Sequence, residues 1–245
     1  MQAMIFAAGL GTRLKPLTDT MPKALVSVAG RPMLEHVINK LKSAGFDHII
    51  INIHHFGQQI IDFVNANNSF GIDIRISDER SCLLDTGGGI QHAAHLFRPD
   101  EPVLIHNVDI LSNADLRALY HHHQQSGNDA TLLVSQRTTS RYLLFDARRH
   151  LQGWINKSTR QTKPEAFVYD ADLYTEYAFS GIHIVSPSVF QRMEHDWQGK
   201  YSITDFYLST CHQAQYEAFV ASNLRLMDIG KPETLASAED FIVSL

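Results

Sequence analysis

The chain opens on an apolar run, Ala3-Met4-Ile5-Phe6, too short for a helix and soon followed by Gly9 and Gly11. This predicts a buried strand over Gln2–Ala7. No helical or strand period follows until Met33. From there residues 33, 34, 37, 38 and 41 are apolar, one face of a helix over Met33–Ala44, and Gly45 suits its stop. His48–Ile53 reads as a strand, Gly57–Asn65 as a helix and Ile72–Ser77 as a strand. Gly88–Leu96 reads as a helix, Val103–His106 as a buried strand, Asp115–His123 as a helix and Ala130–Val134 as a strand. This alternation predicts an α/β fold: a Rossmann-like, doubly wound, mostly parallel mixed sheet with helices on both faces.

The rhythm changes after about Ser135. Tyr142–Phe145, Leu151–Ile155 and Tyr177–Val185 predict strands with shorter connections, a small antiparallel elaboration. Polar Asn156–Glu165 between them predicts a mobile loop. Helices are expected near Ser188–His195 and Thr204–Gln213, and short strands at Tyr216–Val220 and Arg225–Asp228. Pro232–Val243 closes the chain as a helix with proline at its start. No repeat or low-complexity tract divides the sequence, so a single domain over 1–245 is expected.

Composition narrows the function classes. The 245 residues are 44% hydrophobic, enough for one large core. The net charge is −5 with no run of Lys and Arg, which argues against nucleic acid as a partner. No apolar stretch nears the ~18 residues of a membrane span. The N-terminus lacks the charged and apolar regions of a signal peptide. A cytoplasmic protein without a membrane partner is the expectation. Cys82 and Cys211 match no zinc or redox spacing and read as reduced thiols. Of the 14 histidines, His121-His122-His123 reads as a solvated helix face. His92 and His95 have a spacing that suits a metal but no acidic or Cys partner nearby.

The stretch AAGLGTRLKPLTDTMPKALVSVAG, Ala7–Gly30, is the first feature that asks for a ligand. Compact domains rarely keep so long a connection unless it binds something. It leaves the carboxyl end of a strand, where parallel α/β sheets bind ligands. A dinucleotide fingerprint fails because Leu14 stands where the third glycine belongs, and a P-loop fails because Pro16 stands five after Gly11. The remaining features suit phosphates. The glycines let backbone N–H groups approach an anion, Arg13 brings a planar charged fork and Lys23 a mobile point charge. Two aspartates end other strands, in HNVD at Asp109 and in MDIG at Asp228. Opposite a phosphate loop such a pair suggests a divalent cation, and Mg²⁺ takes one or two carboxylates plus substrate phosphates. Asp115 and Asp205 read instead as helix caps. Thr86-Gly87-Gly88-Gly89 would allow backbone to approach a flat or anionic ligand.

With these residues in hand, the chain closely resembles the sugar-1-phosphate nucleotidyltransferases, also called nucleotide-sugar pyrophosphorylases. The resemblance rests on AAGLGTRLKPLTDTMPKAL, TGGGI, HNVD, FSGIHIV and MDIG, in that order over almost the whole chain. It is strongest to N-acetylmuramate-1-phosphate uridylyltransferases and mannose-1-phosphate guanylyltransferases. It implies a nucleotide-diphospho-sugar transferase fold, with residues 1–135 as the nucleotide-binding half and 136–245 as the sugar-binding half. It implies an NTP and a sugar 1-phosphate as ligands, Mg²⁺ as cofactor, UTP ahead of GTP and dTTP, and a monomer or small homo-oligomer. Because the chain ends one helix after Asp228, the C-terminal β-helix of bifunctional members is not expected. The implied nucleotide ligands are Ala8, Gly9, Gly11, Thr12, Arg13, Thr86, Gly88 and Asn107. Arg13, Lys23 and Asp109 take the catalytic roles, Asp109 and Asp228 hold the metal, and Lys157, Ser180 and Gly181 shape the sugar pocket. Two positions depart from the family's pattern: Val108 replaces a glycine before the first metal aspartate, and Asn156-Lys157 stands for a Glu-Lys pair. They are the sole support for the alternative, a regulatory protein that binds nucleotide or nucleotide-sugar without turnover.

Overall fold

The computed structural model describes the chain from Met1 to Leu245, the side chains of residues 195 and 196 excepted. β1 (Gln2–Phe6) leads into the long loop, which holds single 3₁₀ turns at Thr12–Leu14, Leu17–Asp19 and Lys23–Leu25 and a ribbon of β2 (Ser27–Val28) and β3 (Arg31–Pro32). Then come α1 (Met33–Ser43), β4 (His48–Ile53), α2 (Gly57–Ala66), β5 (Asp73–Asp78), α3 (Asp85–Ala93), β6 (Val103–Asn107), β7 (Ile110–Ser112), α4 (Leu116–Ser126) and β8 (Ala130–Ser135). The second half carries β9 (Arg141–Phe145), β10 (Leu151–Asn156), β11 (Gln161–Lys163), β12 (Thr175–Val185), α5 (Pro187–Asp196), α6 (Ile203–Thr210), β13 (Tyr216–Val220), β14 (Leu226–Asp228) and α7 (Pro232–Val243).

The apolar runs form the centre of a mixed ten-stranded sheet. β6, β1, β4 and β5 lie side by side, all parallel. Both faces of these strands are covered, which is why Ile49, Ile50, Ile51 and Ile53 all lie in the core without polar alternation. β12 then enters antiparallel to β6 and also pairs β8 and β9. This long strand joins the nucleotide side to the antiparallel hairpins β9-β10-β11. The α/β class and the doubly wound mixed sheet match the reading of the sequence.

Several local expectations need correction. Asn156–Glu165 is not a loop throughout: Gln161–Lys163 pairs with β10 in a tight hairpin, with polar side chains because it is an edge strand. Asp115 caps α4 through Ala118 N–H, but Asp205 lies inside α6, where Ser202 is the cap, and pairs with Lys163 instead. The histidines of α4 are a solvated face only in part: His121 is exposed, but its neighbours are engaged. His123 is buried between Thr131 and Ser186, and His122 meets Glu217. α3 starts at Asp85, three residues before the expected Gly88, so its three glycines are helical.

The buried histidines set an acid limit on the fold. Burial holds His106 and His123 down to about 4 from their ordinary 6.5, and His183 down to about 3. Between these values and 6.5 the unfolded chain binds more protons than the folded one, so stability rises with pH across that window and is lost as pH falls through it. Each such group contributes a slope of about 1 kcal/mol per pH unit. The urea midpoint is therefore expected to fall clearly between pH 7 and pH 5. An unchanged midpoint would show that these rings accept protons in the folded state.

Candidate active site

The site forms where the parallel strands end. β1 stops at Phe6 and β6 at Asn107, and the loops after both turn over the same edge. Asn52 at the end of β4 fixes the start of the glycine loop: its Oδ1 accepts the N–H groups of Ala7 and Ala8 at 2.7 and 3.2 Å. Its amide donates to Glu79 Oε1 at 2.8 Å, and Glu79 Oε2 accepts Leu84 N–H at 3.2 Å. One buried amide–carboxylate pair thus ties the glycine loop to the segment entering α3. With Ala7 and Ala8 engaged, the amides of Gly9, Leu10 and Gly11 donate to no backbone acceptor among the described residues. They remain available to an anion.

Gly11 shows why the loop needs glycine. Its φ is +64°, and a Cβ there would come within 2.8 Å of Thr18 Cγ2 and 3.0 Å of Lys23 Cβ. The Thr18 hydroxyl also donates to Gly11 O at 2.8 Å, so the loop folds back on itself and delivers Lys23 to the strand ends. Pro22 is extended and Lys23 starts a 3₁₀ turn.

The charged groups converge at Gly230. A Cβ on that residue would lie 2.6 Å from Lys23 Nζ and 2.8 Å from both Asp109 Oδ2 and Asp228 Oδ1. Lys23 pairs directly with Asp109, both side chains being largely enclosed. Asp228 Oδ1 accepts Gly230 N–H at 2.8 Å, and the Arg13 guanidinium stands 3.9 Å from Asp228 Oδ2. Asp109 O in turn accepts Ile229 N–H, which locks the MDIG turn onto the HNVD turn. β14 pairs with β7 rather than joining the main sheet, and this small ribbon carries Asp228 to Asp109. No cluster of three metal-ligating side chains occurs among the described residues. Two convergent carboxylates with open positions nevertheless fit Mg²⁺, which takes its remaining ligands from phosphates and water.

Two recesses meet here. The first, about 420 Å³, is lined by Ala8, Gly9, Gly11, Thr12, Lys23, Asp109 and Thr86, among others. The second, about 500 Å³, is lined by Asp228, Ser180, Gly181, Arg137, His183 and Lys231, among others. Asn107 and Thr86 line both. Gly181 has φ +75°, and a Cβ there would come within 2.6 Å of the Asn107 amide nitrogen. It sits in a bulge of β12 where pairing to β8 shifts register between Phe179 and His183.

The sequence reading is thus brought together for Ala8, Gly9, Gly11, Thr12, Lys23, Thr86, Asn107, Asp109, Ser180, Gly181 and Asp228, with Arg13 at the rim beside Asp228. Gly88 is placed elsewhere. It lines neither recess, and a Cβ on it would sit 2.1 Å from Gly199 O, so the packing of α3 requires its smallness. Thr86 lines the recess, but its hydroxyl already accepts Ile203 N–H at 2.9 Å. Lys157 lines neither recess; it sits in the turn of the β10–β11 hairpin, pairs with Glu176 and donates to Tyr169. Val108 is buried and packs with the core, yet it also lines the first recess between Asn107 and Asp109. Asn52, Glu79 and Arg137 escaped the sequence reading. Their only signal was polarity at the ends of strands.

A profile of the nucleotidyl transferase family matches residues 2–244. The chain is 43% identical over 109 residues to the N-acetylmuramate alpha-1-phosphate uridylyltransferase of Caulobacter vibrioides, covering 44% of this chain and 45% of that protein. It is 30% identical over 199 residues to mannose-1-phosphate guanylyltransferase 1 of Arabidopsis thaliana, covering 79% of this chain and 52% of that protein. These aligned stretches span about half the length of the curated relatives. Among solved structures, HddC from Yersinia pseudotuberculosis complexed with GMP-PN superposes with a TM-score of 0.77 at 24% identity, covering 98% of this chain and 99% of that one. At that identity the likeness speaks for the fold. Together with the crevice, the profile over nearly the full length assigns the chain: it belongs to the nucleotidyl transferase family.

Proposed function

We propose that the protein transfers a nucleotidyl group from an NTP to a sugar 1-phosphate, giving an NDP-sugar and pyrophosphate. The observation that carries this reading is the meeting of Lys23, Asp109 and Asp228 around Gly230, on the border between two recesses. One recess, under the glycine loop, suits the triphosphate and base. The other, under β12, suits the sugar.

In this reaction a sugar-phosphate oxygen attacks the α-phosphorus in line, and the bond to pyrophosphate breaks. No strong base is needed, because the second pKa of a phosphate monoester is about 6 and the attacking group is mostly a dianion at neutral pH. The barrier is the approach of two anions, so positioning and charge neutralisation do the work. The glycine-loop amides hold the triphosphate. Lys23 Nζ moves from Asp109 to the α-phosphate, and Arg13 faces the departing pyrophosphate. When bound between Asp109 and Asp228, Mg²⁺ supplies further neutralisation of the two reacting phosphates.

The test is pyrophosphate release with Mg²⁺ across a grid of NTPs and sugar 1-phosphates. UTP with N-acetylmuramate 1-phosphate heads the grid, and GTP with mannose 1-phosphate follows, because relatives carry those names. Release from one pair, lost on chelation of the metal, is expected. Nucleotide binding without release from any pair would turn the reading to a regulatory protein.

A further inference from the structure

The recess under β12 is poorly charged for its proposed ligand. Asp228 and Asp85 both line it, and a sugar 1-phosphate adds a group that is mostly a dianion at neutral pH. The cations around the reacting centre do not answer that group. Lys23 pairs with Asp109 and lines the other recess, and Arg13 stands at the rim beside Asp228. Lys157 is held by Glu176 and lines neither recess.

Three basic side chains line the recess under β12: Arg137, His183 and Lys231. His183 is no cation at neutral pH, because burial holds its ring down to about 3. Arg137 donates to Phe179 O at 3.0 Å, which holds its guanidinium against β12, and it is shared with a neighbouring recess that Asp228 does not line. Lys231 differs from both. It directly follows Gly230, the residue around which Lys23, Asp109 and Asp228 converge. Its backbone is anchored: extended at φ −130° and ψ 147°, it opens α7, and its carbonyl oxygen accepts the N–H groups of Thr234 and Leu235 at 3.2 Å. Pro232 follows with its own φ fixed by the ring. The Lys231 side chain caps nothing, is exposed, and meets no carboxylate among the described residues. A fixed stem with a free ammonium suits a phosphate, which lysine binds as a point charge without a set orientation.

We infer that Lys231 binds the phosphate of the sugar 1-phosphate, its ammonium meeting the oxygens that do not attack. The inference rests on the proposed reaction and adds to it the residue that receives the acceptor's charge. Two neighbouring positions then divide the work: Asp228 turns to the metal and Lys231 to the incoming phosphate. Lys23 stays free for the α-phosphate of the NTP. Lys231 also takes the place in the sugar pocket that the motif suggests for Lys157.

The test takes the NTP and sugar 1-phosphate that release pyrophosphate fastest in the grid and measures KM for each with the other saturating. Because the Lys231 side chain is exposed and caps nothing, Lys231→Ala and Lys231→Gln should keep the melting curve. Both are expected to raise KM for the sugar 1-phosphate by roughly 10-fold or more, the scale of one hydrogen bond to a charged group, with KM for the NTP unchanged. Lys231→Arg should restore most of the affinity, and Lys157→Ala should not alter it. Salt screens exposed charges, so KM for the sugar 1-phosphate should rise with ionic strength in the unaltered enzyme and less in Lys231→Gln. The Mg²⁺ concentration for half-maximal rate should not rise in either variant, which separates a lost phosphate contact from a displaced Asp228. An unchanged KM for the sugar 1-phosphate in Lys231→Gln would overturn the assignment, as would the same loss appearing in Lys157→Ala instead. So would equal rises in KM for both substrates, which would make Lys231 a support of the MDIG turn. Silence of the unaltered enzyme with every pair would overturn the reaction itself, a result distinct from turnover with unmoved KM values.

Discussion

Asp109→Ala is expected to abolish turnover, by roughly 10³-fold or more, and to leave the protein folded. Three contacts give the residue its weight. Its carboxylate pairs with Lys23, its Oδ2 faces the space at Gly230 that Asp228 also faces, and its carbonyl oxygen accepts Ile229 N–H. Truncation removes the first two and keeps the third, so the turn that carries Asp228 stays in place. The loss should therefore be catalytic, visible in kcat with an unchanged melting curve. Asp109→Asn preserves the size and loses the charge, and should fall nearly as far. Asp109→Glu should not rescue, because an added methylene pushes the carboxylate towards Gly230, where even a Cβ would stand 2.8 Å from the present oxygen. Pyrophosphate release by Asp109→Ala near the unaltered rate would remove Asp109 from the reaction and leave Lys23 without its assigned task.

The parts of this site legible in the sequence are those written by backbone need. An apolar run that ends at Phe6, followed by a long glycine-bearing loop, marks both a strand end and an anion site. The aspartates were visible for the same reason: each stands at the end of a short apolar stretch, in Ile105–Ile110 and in Leu226–Ile229. What escaped was whatever depends on pairing at a distance. β14 looks like another sheet strand, yet it joins β7 outside the main sheet, and no local pattern records that choice. Gly87, Gly88 and Gly89 suggest room for a ligand, whereas they let α3 pack on the segment around Gly199–Ile203 and on Glu79. Smallness is the same letter for both purposes. Lys157 occupies the motif's place, but the hairpin turns it towards Glu176, while Lys163, six residues on, faces a recess lined by Trp154 and Asp205. In an edge hairpin the register decides which lysine faces inward, and register is weakly marked when both faces are polar.

Lys23→Ala should reduce kcat/KM by roughly 10²- to 10³-fold, the effect of removing one transition-state donor. The side chain is only 12% exposed, and its ammonium reaches Asp109 from a turn built by Gly11, Thr18 and Pro22. That enclosure matters, because a charge in water-poor surroundings acts more strongly on a developing anion than one in bulk solvent. In the resting protein the ammonium offsets Asp109; in the proposed reaction it turns to the phosphates instead. Lys23→Arg should recover little. The guanidinium is planar and bulky, and Gly230 would give it no room without displacing the MDIG turn. Lys23→Met keeps the apolar stem and removes the charge, so its defect should match that of Lys23→Ala if charge is what counts. Raising Mg²⁺ should restore neither variant, which separates the ammonium's task from that of the carboxylates. A Lys23→Met protein that works at the unaltered rate would leave neutralisation to Arg13 and the metal, and the enclosure of Lys23 would then be a matter of folding alone.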